Sequence, residues 1–314
     1  MLKLVGRRLV QLILVLFLLS LITFILMKFT PGDPVLGMLE ADELVVTRAD
    51  EDALRKELGF EQPVLLQYGQ WMSNLLRLDL GDSYIKRKPV LDEITARLPS
   101  TLQLAGGSLV VMVLIATPLG LLAAIYQGRW PDHLSRIMAL IGASIPCFWL
   151  GLLLIYAFAY KLQWLPSMGT GSIRHMILPC FSLGFSMAAT YARLLRAGLL
   201  ESLSQEYIRA ARARGIAEWR ILSKHALRAA LLPVVTVFGM SIGSLLAGSV
   251  VTEVLFSLPG LGSMVMEAIL HRDYPIIQGF VLLTGVFVVV VNLLVDLGYG
   301  LLDPRIRYSK RGAT

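Results

Sequence analysis

Residues 206–233 read EYIRAARARGIAEWRILSKHALRAALLP, a long basic stretch set between two apolar runs. A short turn is enough to connect two membrane-crossing helices, so a polar segment of this length points to a task of its own. Ala210, Ala211, Arg212, Ala213 and Arg214 favour helix. Gly215 follows at once, at a place where a left-handed residue would end that helix. Helical patterning resumes over 217–232, and Pro233 suits the first turn of the next apolar helix. The expectation is helix, glycine break, helix. Ile208, Ala211 and Gly215 recur at spacings of three and four, so they form a narrow small-residue stripe flanked by arginines. Such a stripe fits a partner's groove. The competing use is a basic helix lying on anionic lipid.

Composition sets the class. The chain is 56% hydrophobic and 16% charged over 314 residues, an apolar share that soluble domains rarely reach. Runs of about 20 apolar residues mark an integral membrane protein. The net charge of +7 fits basic loops at a membrane face and needs no nucleic acid. Cys147 and Cys180 both fall inside apolar runs and read as small hydrophobes rather than as a disulfide or metal pair.

Six spans are expected in an all-α polytopic fold, over 9–29, 101–126, 137–160, 176–195, 233–256 and 276–302. The first follows Lys3, Arg7 and Arg8, and its apolar run is too long for a cleaved leader, so it reads as a retained anchor. Residues 1–29 form the tail and first span, 30–99 a small helical cap, and 100–314 a five-helix core holding a loop at 197–232. Within the cap, the Thr30-Pro31-Gly32-Asp33-Pro34 cluster stops the first helix, and 49–58 and 65–78 read as short amphipathic helices. Ser144-Ile145-Pro146 marks a kink in the third span, since a proline there frees backbone groups. Residues 257–275 read as a polar loop.

Lysine and arginine in the short loops orient the chain. The 193–228 stretch carries eight (Arg193, Arg196, Arg209, Arg212, Arg214, Arg220, Lys224 and Arg228), whereas the loop after the third span has only Lys161 and Arg174. Both termini and the 206–233 stretch are thereby expected on the cytoplasmic side.

No catalytic constellation stands out, and no phosphate-binding glycine loop of the ATPase type is present. Lys28, Glu253 and Asp296 are the ionisable groups nearest the spans, and each sits towards a span end. A proton- or ion-coupled carrier ordinarily keeps such groups at mid-membrane, so the energy source is expected to be an external partner. An ion-coupled secondary transporter remains the alternative of another class. Gly239 and Gly243, with Ser244 and Gly248 continuing the face, suit close helix packing or the lining of a translocation path. His175 with Met168 and Met176, and His271 with Met264 and Met266, could touch a passing transition metal, but the bland reading as ordinary interface residues is preferred, and no metal site or cofactor is assigned.

With these residues in view, 206–233 resembles the coupling loop of ATP-binding-cassette importer permeases, whose pattern is Glu-Ala-Ala, three residues, Gly. Here Ala210, Ala211 and Gly215 match, and Arg209 stands where the pattern has Glu. That departure, with Tyr207 before it and His225-Ala226-Leu227-Arg228 after it, is similar to the dipeptide, oligopeptide and nickel branch. Further blocks follow in order: Arg7 and Arg8, Leu80-Gly81-Asp82-Ser83, Phe148-Trp149, Pro259-Gly260-Leu261-Gly262, Arg272-Asp273-Tyr274-Pro275 and Asp303-Pro304-Arg305. The resemblance implies a bacterial inner-membrane permease that is not itself an enzyme. It implies a heterodimer with a second permease in the lipid bilayer, two ATP-binding subunits meeting Glu206, Tyr207, Arg209, Ala210, Ala211, Arg212 and Gly215, and an extracytoplasmic substrate-binding protein facing the cap. The short 161–175 loop and the overall length lean towards nickel or a nickel chelate as cargo, with di- or oligopeptides as the alternative.

Overall fold

The computed structural model describes residues 2–29, 35, 52–53, 55–56 and 61–302. Among them the architecture is helical throughout, with one isolated bridge between Asp82 and Pro89. We name the helices α1 (Leu2–Phe29), α2 (Val64–Leu76), α3 (Val90–Ile125), α4 (Trp130–Ser144), α5 (Cys147–Lys161), α6 (Ile173–Leu203), α7 (Glu206–Ala213), α8 (Glu218–Leu255), α9 (Leu261–Leu270) and α10 (Tyr274–Leu302). Helix α5 ends in a π-helical stretch at Ile155–Lys161, and α8 contains another at Ile221–Ala226. The turn cluster at 30–34, most of the expected helix over 49–58, the side chain of Asp296 and the tail from 303 lie outside the described residues.

Four helical segments are long and apolar enough to cross a bilayer: Val10–Phe29, Val90–Ile125, Glu218–Leu255 and Tyr274–Val295. The third expected span departs from a kinked helix. It is two helices, α4 and α5, bent by 101°. The cause is local. A residue before proline is driven out of the helical region, and Ile145, with φ −88° and ψ 120°, is extended. Helix α6 is 31 residues long, about 46 Å at the usual rise, but Arg193, Arg196 and Glu201 make its last turns polar. Length and apolarity alone therefore return four spans, or five with the bent pair, rather than the expected six.

Three further boundaries differ from the sequence reading. Helix α3 starts at Val90, because Asp92 and Glu93 favour a helix N-terminus there. Pro233 does not open a new helix but lies inside α8. Its ring is exposed, and packed membrane helices tolerate the lost backbone bond. The 257–275 segment holds α9, whose start is closed by a hydrogen bond from the Gly260 N–H to the Ser263 hydroxyl at 3.1 Å.

The chain divides into two compact units. The first comprises Met1–Thr101 and Pro259–Val289. Its core is Val90, Ile94, Leu261, Met264, Ala268 and Ile276. Helix α2 lies on α1 through the Phe24 and Tyr68 rings, 5.3 Å apart edge to face, and the Ser20 and Tyr68 hydroxyls, 2.9 Å apart. A Cβ on Gly279 would come within 2.8 Å of Val90, so α10 packs backbone-close on α3. Asp273, 3% exposed, clasps the loop before α3. It accepts from the Ser83 hydroxyl and from the Tyr84 N–H at 3.1 Å. Burial, with the Asp273 carboxylate second, pushes the Tyr84 phenol well above its ordinary pKa. Two of the sequence blocks, 80–83 and 272–275, are thus two halves of one clasp. Lys86 and Arg97 each approach both Glu93 and Glu267, at 3.2 to 3.8 Å, around it.

The second unit comprises Leu102–Leu258 and Val290–Thr314. Helix α6 runs through its middle. Leu178, Cys180 and Leu183 join one apolar cluster, Ala188, Tyr191 and Ala192 a second, and Leu195 and Leu199 a third. Gly184 lets α6 meet α3 closely, since a Cβ there would stand 2.5 Å from the Ser108 carbonyl. Cys180 is buried and Cys147 partly so, both as free thiols.

Candidate coupling surface

Helix α7 leaves α6 after a two-residue turn and ends at Ala213. Gly215 follows with φ +73°. Two hydrogen bonds close the end, Gly215 N–H to Arg212 O at 2.9 Å and Ile216 N–H to Ala211 O at 3.2 Å. This pair is the Schellman arrangement, which favours glycine at the left-handed position. A Cβ on Gly215 would touch nothing within 4 Å, so the demand for glycine is one of dihedral angle and not of space. The expected helix, glycine break and helix is what forms.

The faces of α7 do not divide as the sequence suggested. Ile208 is fully buried within the chain. It is an internal anchor rather than part of a stripe offered to a partner. Helix α7 lies against the π-helical turn of α8, where Ile221 and Ala226 are also fully buried. Ala211 is half-buried, and Glu206, Tyr207, Arg209, Ala210, Arg212 and Gly215 are exposed. The Tyr207 hydroxyl lies 2.8 Å from that of Ser202 on the last turn of α6. Arg212 forks onto Glu218, Nε to Oε1 at 2.7 Å and Nη2 to Oε2 at 3.3 Å, and so ties α7 to α8 across the glycine turn. Arg209 has no ion pair or side-chain hydrogen bond among the described residues.

Two features carry weight that sequence reasoning did not give them. Trp219 is 64% exposed, with the Arg220 guanidinium 5.4 Å from its ring centroid. Asp132 is fully buried and accepts from two arginines. Arg196 reaches it with Nε at 2.7 Å and Nη2 at 2.9 Å, Arg136 with Nε at 3.2 Å and Nη2 at 2.9 Å, and the Gly128 N–H at 3.0 Å. The carboxylate joins the first turn of α4 to the part of α6 that leads into α7. The four-residue spacing of Asp132 and Arg136 was a visible signal; the long-range partner Arg196 was not.

The residues considered for a translocation path separate. Gly239 is buried, and a Cβ there would stand 3.1 Å from the Asn292 amide oxygen and 3.3 Å from Val295. Gly248 faces Leu183, with a Cβ 2.9 Å away. Gly243 and Ser244 are exposed. His175 Nδ1 lies 3.0 Å from the Ser172 hydroxyl. Among the described residues no three His, Cys, Asp or Glu side chains come together as a metal set.

Comparison with known proteins decides the family. Residues 116–308 match the binding-protein-dependent transport system inner membrane component family, and residues 1–105 match its N-terminal companion. The chain belongs to this family of ABC importer permeases. The permease is 42% identical over 311 residues to the glutathione transport system permease protein GsiC of Escherichia coli O6:H1, covering 98% of this chain and 100% of that one. The same figures hold for GsiC of Shigella dysenteriae serotype 1. Its fold is similar to an inward-facing structure of the MetNI methionine ABC transporter, at TM-score 0.57 and 20% identity over 68% of this chain and 97% of that one. An amino acid ABC transporter solved with histidines gives TM-score 0.52 at 16% identity, over 66% of this chain and 92% of that one. The permease is therefore a multi-pass inner-membrane subunit and not itself an enzyme, working with ATP-binding and substrate-binding partners.

Proposed function

We propose that this permease imports a small peptide-class substrate, as one of two permease subunits joined to two ATP-binding subunits and served by an extracytoplasmic binding protein. The observation that carries the cargo is the end-to-end likeness, at 42% identity, to permeases of glutathione transport. The lean towards nickel from loop length rests on a shorter and less specific feature, so peptide is preferred.

The coupling element is α7 with the start of α8. Its exposed side offers Glu206, Arg209, Ala210, Gly215 and Trp219 to an ATP-binding subunit, while Ile208 and the Arg212–Glu218 fork hold it to its own chain. A displacement of α7 is passed on in two directions. One is along α8, continuous from Glu218 to Leu255. The other is through α6 and the Arg196–Asp132 bond to the base of α4. ATP-driven closure of the partners below moves these helices and turns the path outward.

The test is uptake of labelled glutathione, a labelled dipeptide and labelled nickel, in cells lacking the chain and in cells with it restored. Restoration of peptide uptake alone is the expected outcome. Restoration of nickel uptake alone would overturn the cargo assignment and leave the permease reading standing.

A further inference from the structure

We infer that the second unit carries a seat for one anionic phospholipid, in an open cavity of about 680 Å³ at the end of α5. Its lining includes Tyr160, Gln163, Trp164, Ser167, Met168 and Arg174. The bent α4–α5 pair is a candidate membrane segment. Along α5, Trp149, Leu152, Tyr156 and Tyr160 are all exposed, at spacings of three and four, which sets them on one face of the helix. The Tyr156 and Tyr160 rings stack with centroids 5.9 Å apart, so this apolar strip runs unbroken into the cavity. There α5 closes in its π-helical stretch, a form frequent at functional sites. The backbone beyond it is irregular. Gln163 has φ +54°, the Trp164 N–H donates to the Phe158 carbonyl at 2.9 Å, and the Gly169 N–H donates to the Phe256 carbonyl at 3.0 Å. Irregular backbone does not face hydrocarbon. The cavity therefore lies at headgroup level, and the strip below it lies among acyl chains.

The chemistry of the cavity fits a phosphodiester. None of its lining residues is acidic, and no Asp or Glu occurs between Asp132 and Glu201. Arg174 is exposed and has no ion pair or side-chain hydrogen bond among the described residues. A guanidinium fork matches two phosphate oxygens at once. Lys161, with Nζ 5.8 Å from the Tyr156 ring centroid, adds a second cation at the end of α5. Tyr160 and Trp164 are 70% and 65% exposed. Rings of these two kinds gather at headgroup level, where one end is apolar and the other wet. The Gln163 amide and the Ser167 hydroxyl can bond the glycerol and ester oxygens. A free anion would use the arginine alone, whereas a lipid uses the arginine and the apolar strip together.

The test does not depend on which cargo the permease carries. The assembled transporter is reconstituted in phosphatidylcholine vesicles with a trace of phosphatidylglycerol bearing a diazirine on one acyl chain, and the attachment site is mapped after illumination. Labelling is expected over residues 149–164, displaced by unlabelled phosphatidylglycerol and not by further phosphatidylcholine. Arg174→Gln should cut the displaceable label about tenfold, the scale of one lost hydrogen bond to a charged group. Arg174→Lys should cut it less, since it keeps the charge and loses only the fork. The exposed position lets both variants fold, and the competition in the wild-type transporter decides the matter even without them. Equal displacement by phosphatidylcholine, or full labelling of Arg174→Gln, would reduce the strip to ordinary bilayer contact and overturn the seat. Displacement by inorganic phosphate would make the cavity a free-anion site and overturn the lipid. Loss of label on adding the substrate-binding protein would make it a protein docking surface, which overturns it too.

Discussion

Gly215 is where a single residue sets the shape of the coupling surface. Its φ of +73° lies in the left-handed region, and no neighbour crowds the place a Cβ would take. A substitution therefore meets only the dihedral cost, about 1 kcal/mol for alanine and more for a β-branched side chain. We expect Gly215→Val to leave membrane levels unchanged and to cut ATP-driven uptake several-fold. Gly215→Asn should keep more activity, because asparagine enters the left-handed region more readily. Uptake measured at matched protein levels checks this, and wild-type rates in the valine variant would remove the turn from the mechanism. Gly215 was legible in sequence because its constraint is local: a helix former on one side and a resumed helix on the other. Ile208 was not. Its place on a stripe with Ala211 and Gly215 was read correctly as periodicity, but which face is covered depends on α8 folding back against α7. Burial of that kind is decided by tertiary packing, which periodicity does not report.

At the scale of elements, the break between α4 and α5 shows the same division. Pro146 announced a disturbance, and the size of it, 101°, was not readable. A proline inside α8 at Pro233 leaves that helix continuous, and Pro179 sits inside α6. The difference lies in what surrounds each one. Ile145 takes extended angles and the Cys147 helix restarts in a new direction. That second helix is held by Gly151, where a Cβ would stand 2.7 Å from Leu255. Its partner α4 is held at the other end by the buried Asp132. Proline and packing both favour the break, and they can be separated. Spin labels at the exposed Leu140 and Leu152 positions, with Cys147 and Cys180 replaced, report the angle as a distance. Pro146→Ala frees Ile145 to become helical, so the label separation should lengthen towards that of a straight helix. An unchanged separation would assign the break to the Gly151 contact and the Asp132 anchor instead.

For the whole molecule, class and family were legible because apolar content and ordered sequence blocks are properties of the entire chain. The count of crossings was less so, because it depends on whether the bent α4–α5 pair and the polar-ended α6 each cross. The lysine and arginine bias favours the cytoplasmic side for the 206–220 stretch, and we expect the 80–88 loop on the other. Between Lys88 and Ala213 lie α3, the α4–α5 pair and α6. With α6, which falls short of a span by length and apolarity alone, taken as a crossing, one passage by the pair makes three and the two residues face opposite sides. If the pair enters and leaves by one face, the total is two and they face the same side. Both residues are exposed, so Lys88→Cys and Ala213→Cys, made in a chain lacking Cys147 and Cys180, can be labelled with a membrane-impermeant maleimide. We expect Lys88→Cys to react in right-side-out vesicles and Ala213→Cys only in inverted ones, with the ATP-binding subunits protecting the second. Reaction of both from one side would mean that the α4–α5 pair re-enters or that α6 does not cross.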